Sequence, residues 1–397
     1  MAKAGRRRRW VKGVLLGLLG LLLIIVAAFF VVAPGELENR MNRVEPAVLP
    51  AVSPQTQQLH DSLQVVDMHS DTLMWKRDLL TRSDRGHVDL PRLEEGNVAV
   101  QVFSSVSKAS GSLNPDINTG EPDDITMLSV VQLQPPRTWN SLLQRSLYHG
   151  QKLERFAADS NGALRLIRTR EDLDRLLADR AAGQQVTGAM FSVEGLQNLE
   201  GDIENFDKLY GAGMRMAGFT HFFDNEAAGS MHGVQKGGLT DLGRAAFLRA
   251  QQRGVIVDVT HSSSQTIDDM LGLATGPIVQ SHGGVKATCE NNRNLTDEQI
   301  RGIAETGGVI GIAYFDWAIC QTTTKAVVDA IDHVVEVGGI GAAALGSDYD
   351  GSVTTGWDTA QLAAITQELV DRGYDDQEIA AIMGGNTIRV MRAVLPP

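Results

Sequence analysis

Residues 14–33, VLLGLLGLLLIIVAAFFVVA, form an unbroken apolar run with no counterpart elsewhere in the chain. At 1.5 Å per residue a helix of that length spans about 30 Å, the hydrocarbon thickness of a bilayer. Lys3, Arg6, Arg7, Arg8, Arg9 and Lys12 precede it without an intervening acid; Glu36, Glu38 and Arg40 follow. The positive-inside rule then makes residues 1–12 a cytoplasmic basic segment and residues 13–33 a transmembrane anchor. The body lies across the membrane, in the periplasm if the cell is bacterial. One rival is a cleaved signal peptide ending at Val31-Val32-Ala33, but its apolar core is normally shorter, and Pro34 disfavours cleavage. The other is a twin-arginine export signal across residues 7–12. Residues 34–60 hold four prolines and little periodicity, and read as a linker.

Beyond residue 60 the pattern changes to short apolar, β-branched runs, at 63–67, 98–103, 188–193, 214–220, 255–260, 277–280, 308–313 and 343–346. Most of the gaps carry a helical period. Leu239, Leu242, Ala246, Leu248 and Ala250 show it across 239–253, and 264–273, 296–305 and 324–337 are similar. Asp297 and Glu298 fall in a first turn, where the helix dipole favours acids. Strands that alternate with helices pair in parallel, because parallel neighbours need a crossover. Eight such units predict an α/β fold, a (β/α)8 TIM barrel, over residues 61–397. An open doubly wound sheet is the alternative, weakened by the lack of a Gly-rich phosphate fingerprint after the first strand. Residues 104–150 are polar and contain Pro115, Pro122, Pro135 and Pro136, and read as an insertion over the barrel mouth. Residues 359–394 read as helices that close the barrel.

Composition narrows the partners. The chain has 397 residues, 43% of them hydrophobic, enough for one large buried core. Setting aside the six cations of residues 1–12 takes the net charge from −12 to −18. So acidic a body excludes nucleic acid, which needs clustered Lys and Arg. The two cysteines, Cys289 and Cys320, form no CxxC motif, which excludes a thiolate zinc site. Their spacing leaves open one disulfide or two free thiols.

The chemistry lies in where the polar residues fall. The first apolar run continues into Asp67, His69 and Asp71, which share one face of an extended chain and aim into one barrel mouth. The third run ends at Glu194, the fourth at His221, the fifth at His261, the sixth at His282 and the eighth at Asp348. Barrel active sites are built at this end of the strands. A single strand-end histidine is most often structural. Four of the nine histidines there, with three carboxylates, would be costly to bury without a cation. Imidazole and carboxylate are good zinc ligands. The supply exceeds one open site, so two ions are expected, one on His69, Asp71 and Glu194 and a second on Glu194, His261 and His282. Glu194 and a shared hydroxide would bridge them. His60, His87, His149, His232 and His333 lie in loops or helices and take structural roles.

These residues resemble the membrane (renal) dipeptidases, a metallopeptidase family. The resemblance rests on His69-x-Asp71, Ser192-Val193-Glu194-Gly195, Thr220-His221, Asp258-Val259-Thr260-His261, Ser281-His282, Asn292-Arg293-Asn294, Gly346-Ser347-Asp348-Tyr349-Asp350-Gly351 and Gly385-Asn386-Thr387-x-Arg389-Val390. It runs in order over residues 60–394. It implies a (β/α)8 barrel with two Zn2+ on the five ligands above, and hydrolysis of dipeptides, including those with a D-residue at the C-terminal side. His221 would donate to the oxyanion. Arg293 would clamp the substrate carboxylate, a task that suits a planar guanidinium. Asp348 would take a proton from the attacking water and pass it to the leaving amine. Asp350, two residues on, is not separated from Asp348 by spacing. Asp258 is a candidate partner for a ligand, and Cys289 and Cys320 fall close to a disulfide of the animal members. The implied partners are a dipeptide and, through residues 13–33, the lipid bilayer; a homodimer is compatible with both. Two other classes compete: a binuclear amidohydrolase acting on lactones, N-acyl amino acids or cyclic amides, and a non-catalytic membrane-anchored binding protein.

Overall fold

The computed structural model describes residues 2–110 and 114–397. Eight parallel strands stand at its centre: β1 Val65–Ser70, β2 Val98–Phe103, β3 Thr187–Glu194, β4 Met214–Gly218, β5 Ile256–Asp258, β6 Ile278–Gly283, β7 Val309–Ile312 and β8 Ala343–Leu345. Each pairs with the next in chain order. Every residue in them is buried, which is why they appear in the sequence as continuous apolar runs rather than alternating ones. The flanking helices start where a side chain caps them. Thr240, Ser263, Thr296 and Thr323 each accept from a backbone N–H of the first turn, and Gln299 returns the bond to Thr296. Such a cap contributes about 1 kcal/mol. It also explains why the expected helix at 239–253 begins only at Asp241.

The barrel closes by side chains as much as by ladder. Between β8 and β1 there is one bridge, Ser70 to Tyr349. Below it, the Asp67 carboxylate accepts from the Ser347 backbone N–H (2.8 Å) and the Ser347 hydroxyl (2.6 Å). Asp67, expected in the barrel mouth with His69 and Asp71, is committed to this seam instead.

Three segments depart from expectation. A short strand, Leu164–Leu166, pairs with the first half of β3; three residues are too few to show a period. In 104–150, the helix Leu142–Asp159 is a crossover helix packed on β3, so the insertion proper is shorter. Residues 34–60 are not a free linker. Helix α1, Ala2–Met41, runs on through Pro34, Arg43–Val44 pairs in parallel with Thr354–Thr355, and Pro54–Ser62 forms helix α2. Pro54 sits in the first turn of α2, where a missing N–H costs nothing. What docks the segment is Glu38, a buried carboxylate bonded to Arg77 and Arg85.

Among the described residues, one helix is long and apolar enough to cross a membrane, judged by length and composition. Its Leu and Ile side chains stand exposed along its length, Leu16 at 68% and Ile24 at 67%, a surface unsuited to water. At the far end of the chain, Ala363–Arg372, Asp376–Ala380 and Asn386–Val394 pack as the closing helices.

Asp67→Ala strands two buried Ser347 donors, each worth about 1–3 kcal/mol. Chemical denaturation of this variant is expected to show a loss of about 3 kcal/mol; a loss below about 1 kcal/mol would remove Asp67 from the closure.

Candidate metal centre and active site

The strand ends deliver the expected residues to one point. His69 and His282 are the penultimate residues of β1 and β6, Glu194 is the last of β3, and Asp71 directly follows β1. His221, His261 and Asp348 each lie three residues beyond their strands, β4, β5 and β8. All are buried. His261 (φ 63°) and Asp348 (φ 62°) adopt left-handed backbone, which costs a non-glycine residue about 1–2 kcal/mol and persists only where the surroundings fix it.

Glu194 stands at the middle. Its Oε1 lies 2.9 Å from His261 Nε2 and 3.2 Å from His282 Nε2, and its Oε2 lies 3.7 Å from His69 Nε2 and 3.8 Å from His221 Nε2. The two oxygens thus face different imidazole pairs. Around the same His69 Nε2 are Asp71 Oδ2 at 3.4 Å and Asp348 Oδ1 at 3.9 Å. Three overlapping sets gather potential ligand atoms within 4.8 Å of one another: His69, Glu194 and His282; Glu194, His221 and His261; His69, Asp71 and Asp348.

This donor set fits divalent metal. His69 Nε2, His282 Nε2 and Asp71 Oδ1 are buried and make no hydrogen bond, and such orphaned atoms are expensive unless something else binds them. The electrostatics agree. Burial alone would lower the His69 pKa, yet Asp71 and Glu194 raise it to about 10, a field that would equally hold a metal cation. Burial pushes Asp348 up to about 7 against the pull of Arg293.

Neighbours orient the imidazoles. Asp258 accepts from the Thr260 and Ser281 hydroxyls (2.6 and 2.5 Å). Ser281 Oγ, its own proton given to Asp258, lies 2.9 Å from His282 Nδ1 and accepts from it. That fixes the proton on Nδ1 and leaves the Nε2 lone pair for a cation. His221 Nδ1 likewise faces the Lys108 carbonyl at 3.1 Å. A carbonyl only accepts, so the neutral ring presents Nε2 as a lone pair. Burial lowers His221 to about 4, opposed by that carbonyl. The expected donation from Nε2 to an oxyanion would need the doubly protonated ring.

Arg293, in the loop after β6, lies fully inside. Its Nη1 is 3.1 Å from the His261 ring nitrogens, Nη2 is 3.5 Å from Asp348 Oδ2, and the guanidinium sits 4.9 Å from the Phe315 ring centroid. Its Nε and Nη2 have no hydrogen-bond partner. Cys289 and Cys320 are joined, with Cα atoms 5.5 Å apart, tying the Arg293 loop to the loop after β7. Asn291 and Asn294 bond across the same gap, to the Trp317 carbonyl (2.6 Å) and the Ala318 carbonyl (2.9 Å).

Arg293 and the ligand cluster together line a cavity of about 330 Å³. Sequence reasoning missed its apolar wall, Met74, Val106, Ile125, Phe222, Trp317 and Val353, which comes from loops and short helices of three to eight residues. Val106 and Ile125 belong to the insertion, so part of 104–150 does line the mouth. Asp350 separates cleanly from Asp348. It points away, and despite its burial Arg77 and His87 hold its carboxylate below the ordinary range. His60, His149 and His333 bond to Thr366, Ser105 and Asp297, as structural residues would. His232 lies closer to the site than expected, stacked on Phe222 with its ring 5.2 Å from that of His261.

The family model of the membrane dipeptidases, peptidase family M19, matches residues 54–395. Among curated proteins, the dipeptidase aclJ of Aspergillus oryzae is 30% identical over 214 residues, 51% of this chain and 50% of that protein, so the match spans half of that relative's length. Among solved structures, dipeptidase AC, an M19 metallopeptidase, superposes with a TM-score of 0.70 at 20% identity, covering 85% of this chain and all of that one. A metallopeptidase from Rhodobacter sphaeroides, liganded with a phosphinate mimic of L-Ala-D-Ala, does so with a TM-score of 0.67 at 21% identity, covering 84% and 99%. At those identities the structures attest the barrel fold. With the family match across the whole barrel, the chain belongs to the membrane dipeptidases, peptidase family M19.

Proposed function

We propose that this chain is a binuclear zinc dipeptidase, cleaving dipeptides that carry a free C-terminal carboxylate. The observation that carries the reading is Arg293. A buried guanidinium whose Nε and Nη2 make no hydrogen bond, with only the Asp348 carboxylate 3.5 Å from Nη2, at the wall of a small cavity, is built to take a planar anion. A carboxylate at Arg293 would share a cavity of about 330 Å³ with Glu194, a volume that suits a short substrate. A neutral lactone or cyclic amide would leave those two N–H groups unused, which disfavours the amidohydrolase alternative. An intact ligand set disfavours a non-catalytic binding protein. The apolar wall favours hydrophobic side chains on the substrate. Dipeptides with a D-residue at the C-terminal side are included, as the mimic bound by the Rhodobacter relative suggests.

His69 and Asp71 would hold one ion and His261 and His282 the other, with Glu194 shared; the two facing directions of its oxygens support this. Bound there, zinc supplies a Lewis acid for the scissile carbonyl and a water acidic enough to attack near neutral pH. The rest falls to the protein. Arg293 fixes the carboxylate and so orients the amide. Asp348, between Arg293 and His69, accepts the proton of the attacking water and returns it to the amine that leaves. His221, its Nδ1 proton committed to Lys108, offers Nε2 to a substrate N–H. The apolar span 13–33 anchors the chain, with residues 1–12 in the cytoplasm and the barrel outside. The Cys289–Cys320 bridge supports an oxidising, extracytoplasmic compartment.

Asp348→Asn is expected to keep its metal and lose about 10²–10⁴-fold in kcat on a dipeptide substrate; normal turnover would remove Asp348 from the proton path. Arg293→Ala is expected to lose about 10–100-fold in kcat/KM on free dipeptides and to handle C-terminally amidated ones no worse than the parent. Equal losses on both would show that Arg293 does not read the carboxylate. Ser281→Ala frees the His282 ring and is expected to weaken metal retention by about 10–100-fold in a chelator competition, with no effect if Ser281 does not orient that ligand.

A further inference from the structure

The end of the long apolar helix reaches the active-site loop. Glu38, one turn past the apolar run, is buried, and its carboxylate accepts from Arg77 Nε (2.6 Å) and Arg85 Nε (3.0 Å). The other arm of Arg77 pairs with Asp350. Asp350 in turn accepts from Thr72 Oγ1 and the His87 N–H (both 2.7 Å) and, through its carbonyl, from Trp75 Nε1 (2.7 Å). Asp350 is two residues from Asp348 in a loop where Asp348, Asp350 and Ser352 are all left-handed, at φ 62°, 63° and 63°. Three such residues within five positions do not hold themselves in place.

A second set of contacts reaches the same loop. Asn42 Oδ1 accepts from the Ser352 N–H (2.8 Å). The Arg43, Glu45 and Ala47 N–H groups donate to the carbonyls of Val353, Thr355 and Gly356 (3.2, 2.9 and 3.0 Å). Leu37 packs against the apolar cluster of Met74, Trp75, Val106, Ile125 and Leu128, of which Met74, Val106 and Ile125 line the cavity.

We propose that Glu38 and Asn42 are positioning residues of the active site: through Arg77–Asp350 and through Ser352 they hold the loop that presents Asp348. The segment following the apolar span is then part of the catalytic machinery rather than a tether, and the barrel has a fixed orientation on its membrane helix. This rests on the role of Asp348 given above.

The test uses full-length, metal-loaded enzyme in detergent, with kcat measured per site titrated by a phosphinate dipeptide mimic. Glu38→Ala and Asn42→Ala are expected to bind the mimic and keep their metal, change KM by less than about 3-fold, and lose about 10–100-fold in kcat per titrated site. Glu38→Gln, which keeps one acceptor for Arg77, should fall between Glu38→Ala and the parent. Glu36→Gln, on the exposed side of the same helix, should match the parent. Activity lost only in proportion to titratable sites would make both residues merely structural and overturn the proposal, as would kcat per site within about 2-fold of the parent in both alanine variants. Asp348→Asn measured in parallel separates the two claims. If it is inactive while the alanine variants are not, this inference alone fails; if it too is active, the reading of the site fails.

Discussion

Three buried carboxylates, Asp71, Glu194 and Asp348, converge on His69 at the floor of the cavity, and the structure depends on how that negative charge is met. Burying such a cluster without compensation would cost several kcal/mol per ion. Asp71 and Glu194 raise the pKa of His69 against a burial that by itself acts the other way. A barrel suits this need because its strands end in one ring, so that residues far apart in sequence reach a single point. The left-handed turns at His261 and Asp348, the Asp258–Ser281–His282 chain and the Lys108 carbonyl behind His221 all serve to aim ring nitrogens and oxygens inward.

Much of this was legible in the sequence. A parallel strand buried on both faces writes itself as an apolar run, and all eight runs became strands with ends shifted by a few residues. The polar residue closing a run marks the mouth of the barrel, and that signal found His69, Glu194, His221, His261, His282 and Asp348. It misplaced Asp67, because alternation along a strand gives the face of a side chain but not how deep in the barrel it sits. It could not divide Asp348 from Asp350, since the difference is made by Arg77 and His87, more than 250 residues away in sequence. The cavity wall was invisible for a related reason: Met74, Ile125 and Trp317 come from three separate helices of three to eight residues, too short to show which face meets the cavity. The contact of His221 Nδ1 with a backbone carbonyl, which bears on which ring nitrogen faces the cavity, is likewise something no side-chain pattern reports.

Residues 34–60 show how composition misleads. Prolines and weak periodicity describe a linker equally well as a segment held by specific contacts, and here Glu38, Asn42 and a two-residue parallel pairing hold it. Nothing in the sequence separates Glu38 from the exposed Glu36; only Arg77 and Arg85, supplied by the body, make the burial of Glu38 possible. The end of the apolar helix and the loop that carries Asp348 therefore meet in the same ten residues.

The central claim is that the cluster is a shared metal centre with Glu194 common to two ions. Elemental analysis of the purified full-length protein, beside Glu194→Gln, addresses it most directly. The account predicts two equivalents of divalent metal per chain in the parent and loss of both in the variant, with the fold retained by circular dichroism. A parent with one equivalent or none, or a variant that still holds two, would contradict it.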